Sequence, residues 1–127
     1  MHLETVRALG TLRERGDTLC IVPQNLYEFW NVCTRPLEKN GLGKSSEEAD
    51  KRISYHIVFL NLLLDRGELF SEWRRLVVQC AVKGVQVHDA RIAAAMRVHG
   101  ITHLLTFNGD DFKRYPGITV VHPSEIS

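Results

Sequence analysis

A chain of 127 residues, 44% hydrophobic and 24% charged, has the composition of one ordinary globular domain with a core of its own. Sixteen Lys and Arg against fifteen Asp and Glu leave a formal charge of +1, so net charge gives no argument for nucleic acid, while a local basic patch stays compatible with it. The longest apolar run, Ile57 to Leu64, is too short to span a bilayer, contains Asn61, and has no signal-peptide core ahead of it, so neither membrane nor secretion is indicated.

Leu3, Val6, Leu9 and Leu12 recur every three residues until Gly16-Asp17, which predicts an amphipathic helix over 3–15 and then a turn. TLCIV, residues 18–22, is expected as a short buried strand. Leu26, Phe29, Trp30 and Cys33 then fall at helical spacing from Gln24 to Arg35, and Pro36 stops the helix. NGLGKSS reads as a loop. Ser45 and Glu48 have capping-box spacing and introduce a helix through Leu64, broken by Asp65-Arg66-Gly67. A short strand between Glu68 and Trp73 is expected before a helix that carries Trp73, Leu76, Val77 and Cys80 and ends at Lys83-Gly84. The remainder reads as a helix from Asp89 to His99 stopped by Gly100, a strand ITHLLTF, a turn at Asn108-Gly109, and a final strand TVV.

Cys20, Cys33 and Cys80 are odd in number, far apart and set among apolar residues, so buried free thiols suited to a reducing cytosol are expected, not a disulfide or zinc framework. His99 and His103 are separated by the helix-ending Gly100, and no HExxH or Cys/His cluster supports a zinc enzyme. Short apolar strands alternating with helices favour an α/β domain, residues 1–127, with a parallel sheet covered on both faces. Ligands of such sheets bind beyond the carboxyl ends of the strands.

The acidic residues cluster near those expected ends. Asp89 precedes Ile92, Ala93 and Met96 by three, four and seven positions, so it leaves its helix on or beside the core-facing stripe; it is either a first-turn cap or a ligand. Glu28 lies among Leu26, Tyr27, Phe29 and Trp30 with Asn25 and Asn31 a turn away, either on a solvated face or at a cleft mouth. Asn108, Asp110 and Asp111 follow a strand, either as an Asn-Gly turn with an aspartate capping a short DFKRY helix or as part of the same cleft. If Glu28, Asp89 and Asp111 converge, their repulsion calls for a cation, and magnesium or manganese suits an all-oxygen site.

QNLYEFWNVCTRP, HDARIAAAMRVHG and LLTFNGDDF resemble the later acidic motifs of the PIN-domain ribonucleases, in particular the VapC-like toxins of bacterial toxin–antitoxin pairs. The resemblance implies a three-layer fold with a central parallel sheet flanked by helices. It implies a cytoplasmic ribonuclease using magnesium or manganese held by Glu28, Asp89 and Asp111, with Thr106, Asn108 and Asp110 in support. Arg35, Lys44, Arg91, Lys113 and Arg114 would meet RNA phosphates or stand as solvated surface charges. A cognate antitoxin and a homodimer are the implied protein partners. The family's first motif, a strand ending in Asp-Thr-Asn, has no counterpart, so the domain is expected to be N-terminally truncated, without its central first strand and one metal ligand. That gap motivates a second expectation: a catalytically inactive remnant that acts as an RNA-binding, protein-interaction or dimerisation module. A nucleotide-binding module has little support, because no glycine-rich phosphate loop follows a strand.

Overall fold

The computed structural model describes residues 3–127 as an α/β chain, rich in helix, with short parallel strand pairs. They cluster into two compact units, one formed by the chain up to Thr18 together with Asp65–Ser127, the other by Leu19–Leu64.

In the first unit, α1 (Leu3–Glu14) buries Ala8 and reaches the C-terminal turn Pro123–Glu125, and the Arg15 guanidinium donates to the Ser127 carbonyl. Helices α4 (Leu69–Gln79) and α5 (Val87–His99) pack on one another. Ala90, Ala93, Ala94 and Ala95 let α5 approach its neighbours closely, while Ile92, Met96 and the fully buried Leu76 of α4 fill the space between. Two polar ties fix this packing. The Trp73 indole N–H donates to the Val87 carbonyl at 2.9 Å, and the Arg97 guanidinium reaches the Glu72 carboxylate and the Pro116 carbonyl, both at 2.6 Å. Gly100 ends α5 in the left-handed region at φ +71°, which glycine enters without a Cβ penalty. Strands β3 (His103–Leu105) and β4 (Thr119–Val121) pair in parallel, Leu104 opposite Val120.

In the second unit, β1 (Cys20–Ile21) and β2 (Asn61–Leu62) form the other parallel pair, Cys20 opposite Asn61. Helix α2 (Pro23–Thr34) begins with Pro at its first position, and the Asn25 side chain accepts from the Val22 N–H at 2.9 Å. Helix α3 (Ser46–Phe59) is capped by Ser45, whose hydroxyl accepts from the Glu48 N–H at 3.1 Å; the Glu48 carboxylate pairs with Arg52 instead of completing the capping box. Between the two helices, a Cβ on Gly41 would lie 2.0 Å from the Arg35 carbonyl oxygen, so only glycine fits there.

Three expectations about elements are corrected. The helix expected through Leu64 ends at Phe59, and Asn61–Leu62 is strand: a continuous apolar run does not distinguish helix from strand, and Leu19 and Ile21 offer carbonyls to the Asn61 and Leu63 N–H groups at 2.8 Å. The strand expected at 68–73 is the first turn of α4, where Leu69, Trp73 and Leu76 follow helical spacing. No DFKRY helix forms; residues 109–111 make a short 3-10 turn instead. Where one central parallel sheet was expected, the described strands form two two-stranded sheets. All three cysteines are free, with Cys33 buried and the other two half-buried. Among the described residues, no helix is long and apolar enough to cross a membrane.

Candidate functional site

Asp89 sits in the first turn of α5, half-buried beside the fully buried Ala90. It is not the capping residue. Gln86 holds that position, and its side chain accepts from Arg114 at 2.5 Å. The carboxylate therefore meets the positive end of the helix from inside the first turn.

Asp111 is placed by the exit of β3. The Thr106 N–H continues the ladder to the Val121 carbonyl at 2.9 Å, and the Thr106 hydroxyl accepts from the Asn108 N–H at 3.0 Å. The Asn108 carbonyl in turn accepts from the Asp111 N–H at 3.1 Å, and the chain then dives into the core at Phe112. Gly109 permits this turn because a Cβ there would press on the Val120 side chain at 3.3 Å. Thr106 and Asn108 thus shape the turn that carries Asp111. A cavity of about 390 Å³ opens beside it, lined in part by Asn108, Asp110 and Asp111.

Tyr115 relates the two aspartates. It is 2% exposed, and its hydroxyl has no hydrogen-bond partner. Burial pushes its pKa up; the nearby Arg114 guanidinium opposes this, and the negative charges of Asp89 and Asp111 both add to the rise. Sequence reasoning missed Tyr115, although its spacing from Phe112 marks a packed turn.

Glu28 belongs to the second unit, exposed on α2, where it accepts from the Gln24 amide at 3.2 Å. Gln24 is 7% exposed and was also missed. Asn25, expected beside Glu28, is used as a cap.

Most of the basic candidates hold protein partners. Arg91 pairs with Asp65 at 2.8 Å. Lys113 pairs with Asp110 at 2.9 Å, which lowers the aspartate pKa and raises that of the lysine. Arg114 donates to the Cys80 carbonyl at 2.9 Å and closes the loop ahead of α5. Arg35 reaches the Asn40 carbonyl at 3.0 Å while its Nε stays buried without a partner. Lys44 is exposed.

Among the described residues, no group of three or more His, Cys, Asp and Glu is gathered to hold a metal ion. Asp89 and Asp111 are oxygen donors of the kind magnesium or manganese takes, an ion that keeps several waters and binds one or two carboxylates together with substrate phosphate. A family model described as PIN domain matches residues 2–118. No curated protein matches the chain.

Proposed function

The chain belongs to the PIN-domain family, matched over residues 2–118 and pointing to nuclease activity, and on that footing we propose a metal-dependent endoribonuclease that hydrolyses RNA phosphodiesters. The supporting observation is that the turn leaving β3, shaped by Thr106 and Asn108, sets Asp111 at the edge of a cavity of about 390 Å³. When bound, magnesium or manganese supplies charge balance on the phosphodiester and orients a water toward it. Asp89 and Asp111 offer the oxygen ligands. Thr106 and Asn108 hold the turn that aims Asp111, and Asp110 keeps Lys113 beside it. Glu28 is the third carboxylate on family resemblance, and Lys44 is an exposed cation for backbone phosphate, while Arg35, Arg91, Lys113 and Arg114 each hold a partner in the protein.

The finer reading is a VapC-like toxin of the cytoplasm, with an antitoxin and a second copy of itself as partners. Three free thiols suit a reducing compartment. On α3, Tyr55 and Val58 are 64% and 75% exposed, apolar surface of the kind a protein partner covers. A three-layer architecture belongs to the same proposal, and the parallel pairing within each of the two short sheets is compatible with it.

Cleavage of structured RNA in manganese, abolished by EDTA, is the expected result. Asp89→Asn should reduce manganese affinity and cleavage by more than the roughly 100-fold that losing an outer-shell partner costs. Cleavage that survives both EDTA and Asp89→Asn would falsify the reading. A second reading, an inactive remnant that binds RNA or protein, draws on the lack of a three-ligand group among the described residues. No metal binding at millimolar manganese, with RNA or protein association intact, would select it.

A further inference from the structure

The cavity beside Asp111 has a side that the metal chemistry does not use. Phe107, one residue past the last ladder contact of β3, is 43% exposed there. Its ring stands edge-on to His122, with centroids 5.1 Å apart and planes at 86°. His122 is itself held firmly: its Nδ1 accepts from the Ser124 N–H at 3.0 Å and meets the Ser124 hydroxyl at 2.7 Å. The neutral ring therefore carries its proton on Nε2, as a donor. The His122 backbone N–H donates to Glu125 at 3.1 Å, so the turn that braces Phe107 is closed on itself.

Resting on the ribonuclease reading, we propose that this cavity is a subsite for one unpaired nucleobase of the RNA, stacked on Phe107 and read by hydrogen bonds at its edge. Single-stranded RNA is recognised in this way, by splayed bases stacked on aromatic rings and bonded along their edges. The volume, about 390 Å³, falls within the range of small-ligand pockets. Away from the Asp111 corner, Asp110 and Glu125 line the cavity and Asp110 already holds the Lys113 ammonium, so this side has no surplus positive charge for a second phosphate and suits an uncharged base. Carboxylates accept hydrogen bonds, so the rim favours a base edge that presents several N–H donors. Guanine, with its ring N–H and amino group together, fits better than uracil.

The test reads binding, not turnover. Fluorescence anisotropy in EDTA compares labelled hexauridylate with the same hexamer carrying one central guanosine. The guanosine hexamer should bind about tenfold more tightly, and Phe107→Ala should lose about tenfold, the scale of one base–aromatic stack. Phe107→Trp should bind the guanosine hexamer at least as well as the native chain, which separates stacking from a folding defect. Equal affinity for the two hexamers, or affinities that Phe107→Ala leaves unchanged, overturns the subsite. Manganese-dependent cleavage alongside such unchanged binding leaves the nuclease standing without it. Loss of binding in Phe107→Ala, with no cleavage by the native chain, supports the subsite and removes the nuclease.

Discussion

The two compact units hold their functional candidates in opposite ways. In the first, Asp89 and Asp111 are exposed or half-exposed groups on a stiff frame: Ala90, Phe112 and Tyr115 next to them are buried, and Trp73, Arg97 and Arg114 tie the helices and loops around them. In the second, Glu28 stands on the outer side of α2 with a partner four residues away on the same helix. The core beneath it is made of small groups, chiefly Val22, Cys33 and Ala49, and large apolar residues of α3 remain outside. A rigid frame preorganises ligands; a helix with a local partner does not. The first unit therefore holds its two candidates on the stiffer frame, and Glu28 rests on its family likeness.

That contrast can be broken at several strengths. Leu76→Ala removes the largest fully buried aliphatic group of the first unit and should cost about 2–5 kcal/mol in a denaturant melt. Manganese binding should fail with it if the frame matters; unchanged affinity in the folded variant would mean that the aspartates need no such support. Gly41→Ala strikes the second unit by driving a methyl into the Arg35 carbonyl, and should cost about 1–3 kcal/mol. Hydrogen exchange should rise across Leu19–Leu64 in that variant, and a rise spread evenly over the chain would show that the units do not respond separately.

Acid should sharpen the same division. Burial lowers the pKa of His56, whose ring is edge-on to Phe29 at 5.0 Å. Its neutral form is the one the fold favours, so its contribution is complete above the ordinary histidine value of about 6.5 and is lost as the pH falls below it. In the first unit, Glu72 has its pKa lowered chiefly by its hydrogen bond to Arg75, with Arg97 adding to the effect. That contribution is complete above the ordinary carboxylate value and is lost only as the pH falls through the lower folded one. Hydrogen exchange, corrected for its intrinsic pH dependence, should therefore rise first near His56 and at lower pH around Glu72. The reverse order would contradict both assignments.

The smallest expected effect separates stability from ligand binding. Tyr115→Phe removes a buried hydroxyl with no partner, so the melting free energy in EDTA should rise by about 1 kcal/mol. Manganese affinity should stay unchanged in the same variant, because the hydroxyl is buried away from solvent. A loss of stability would show that the hydroxyl is bonded after all, and a fall in affinity would place it at the ion.

The sequence by itself determined what depends on near neighbours. Helical spacing marked α1, α2 and α5, Gly100 marked the end of α5, Ser45 marked the start of α3, and the motifs around Glu28, Asp89 and Asp111 marked the family. These signals come from backbone preferences and from side chains three or four residues apart, which act before distant parts of the chain meet. Only the tertiary structure decided that Asn61–Leu62 pairs with Cys20–Ile21 and that the Tyr115 hydroxyl is buried without a partner. It also decided that Arg91 and Arg114 pair with the protein. A strand rung, an ion pair and a buried hydroxyl each depend on a partner brought from elsewhere in the chain, and no local pattern encodes that partner.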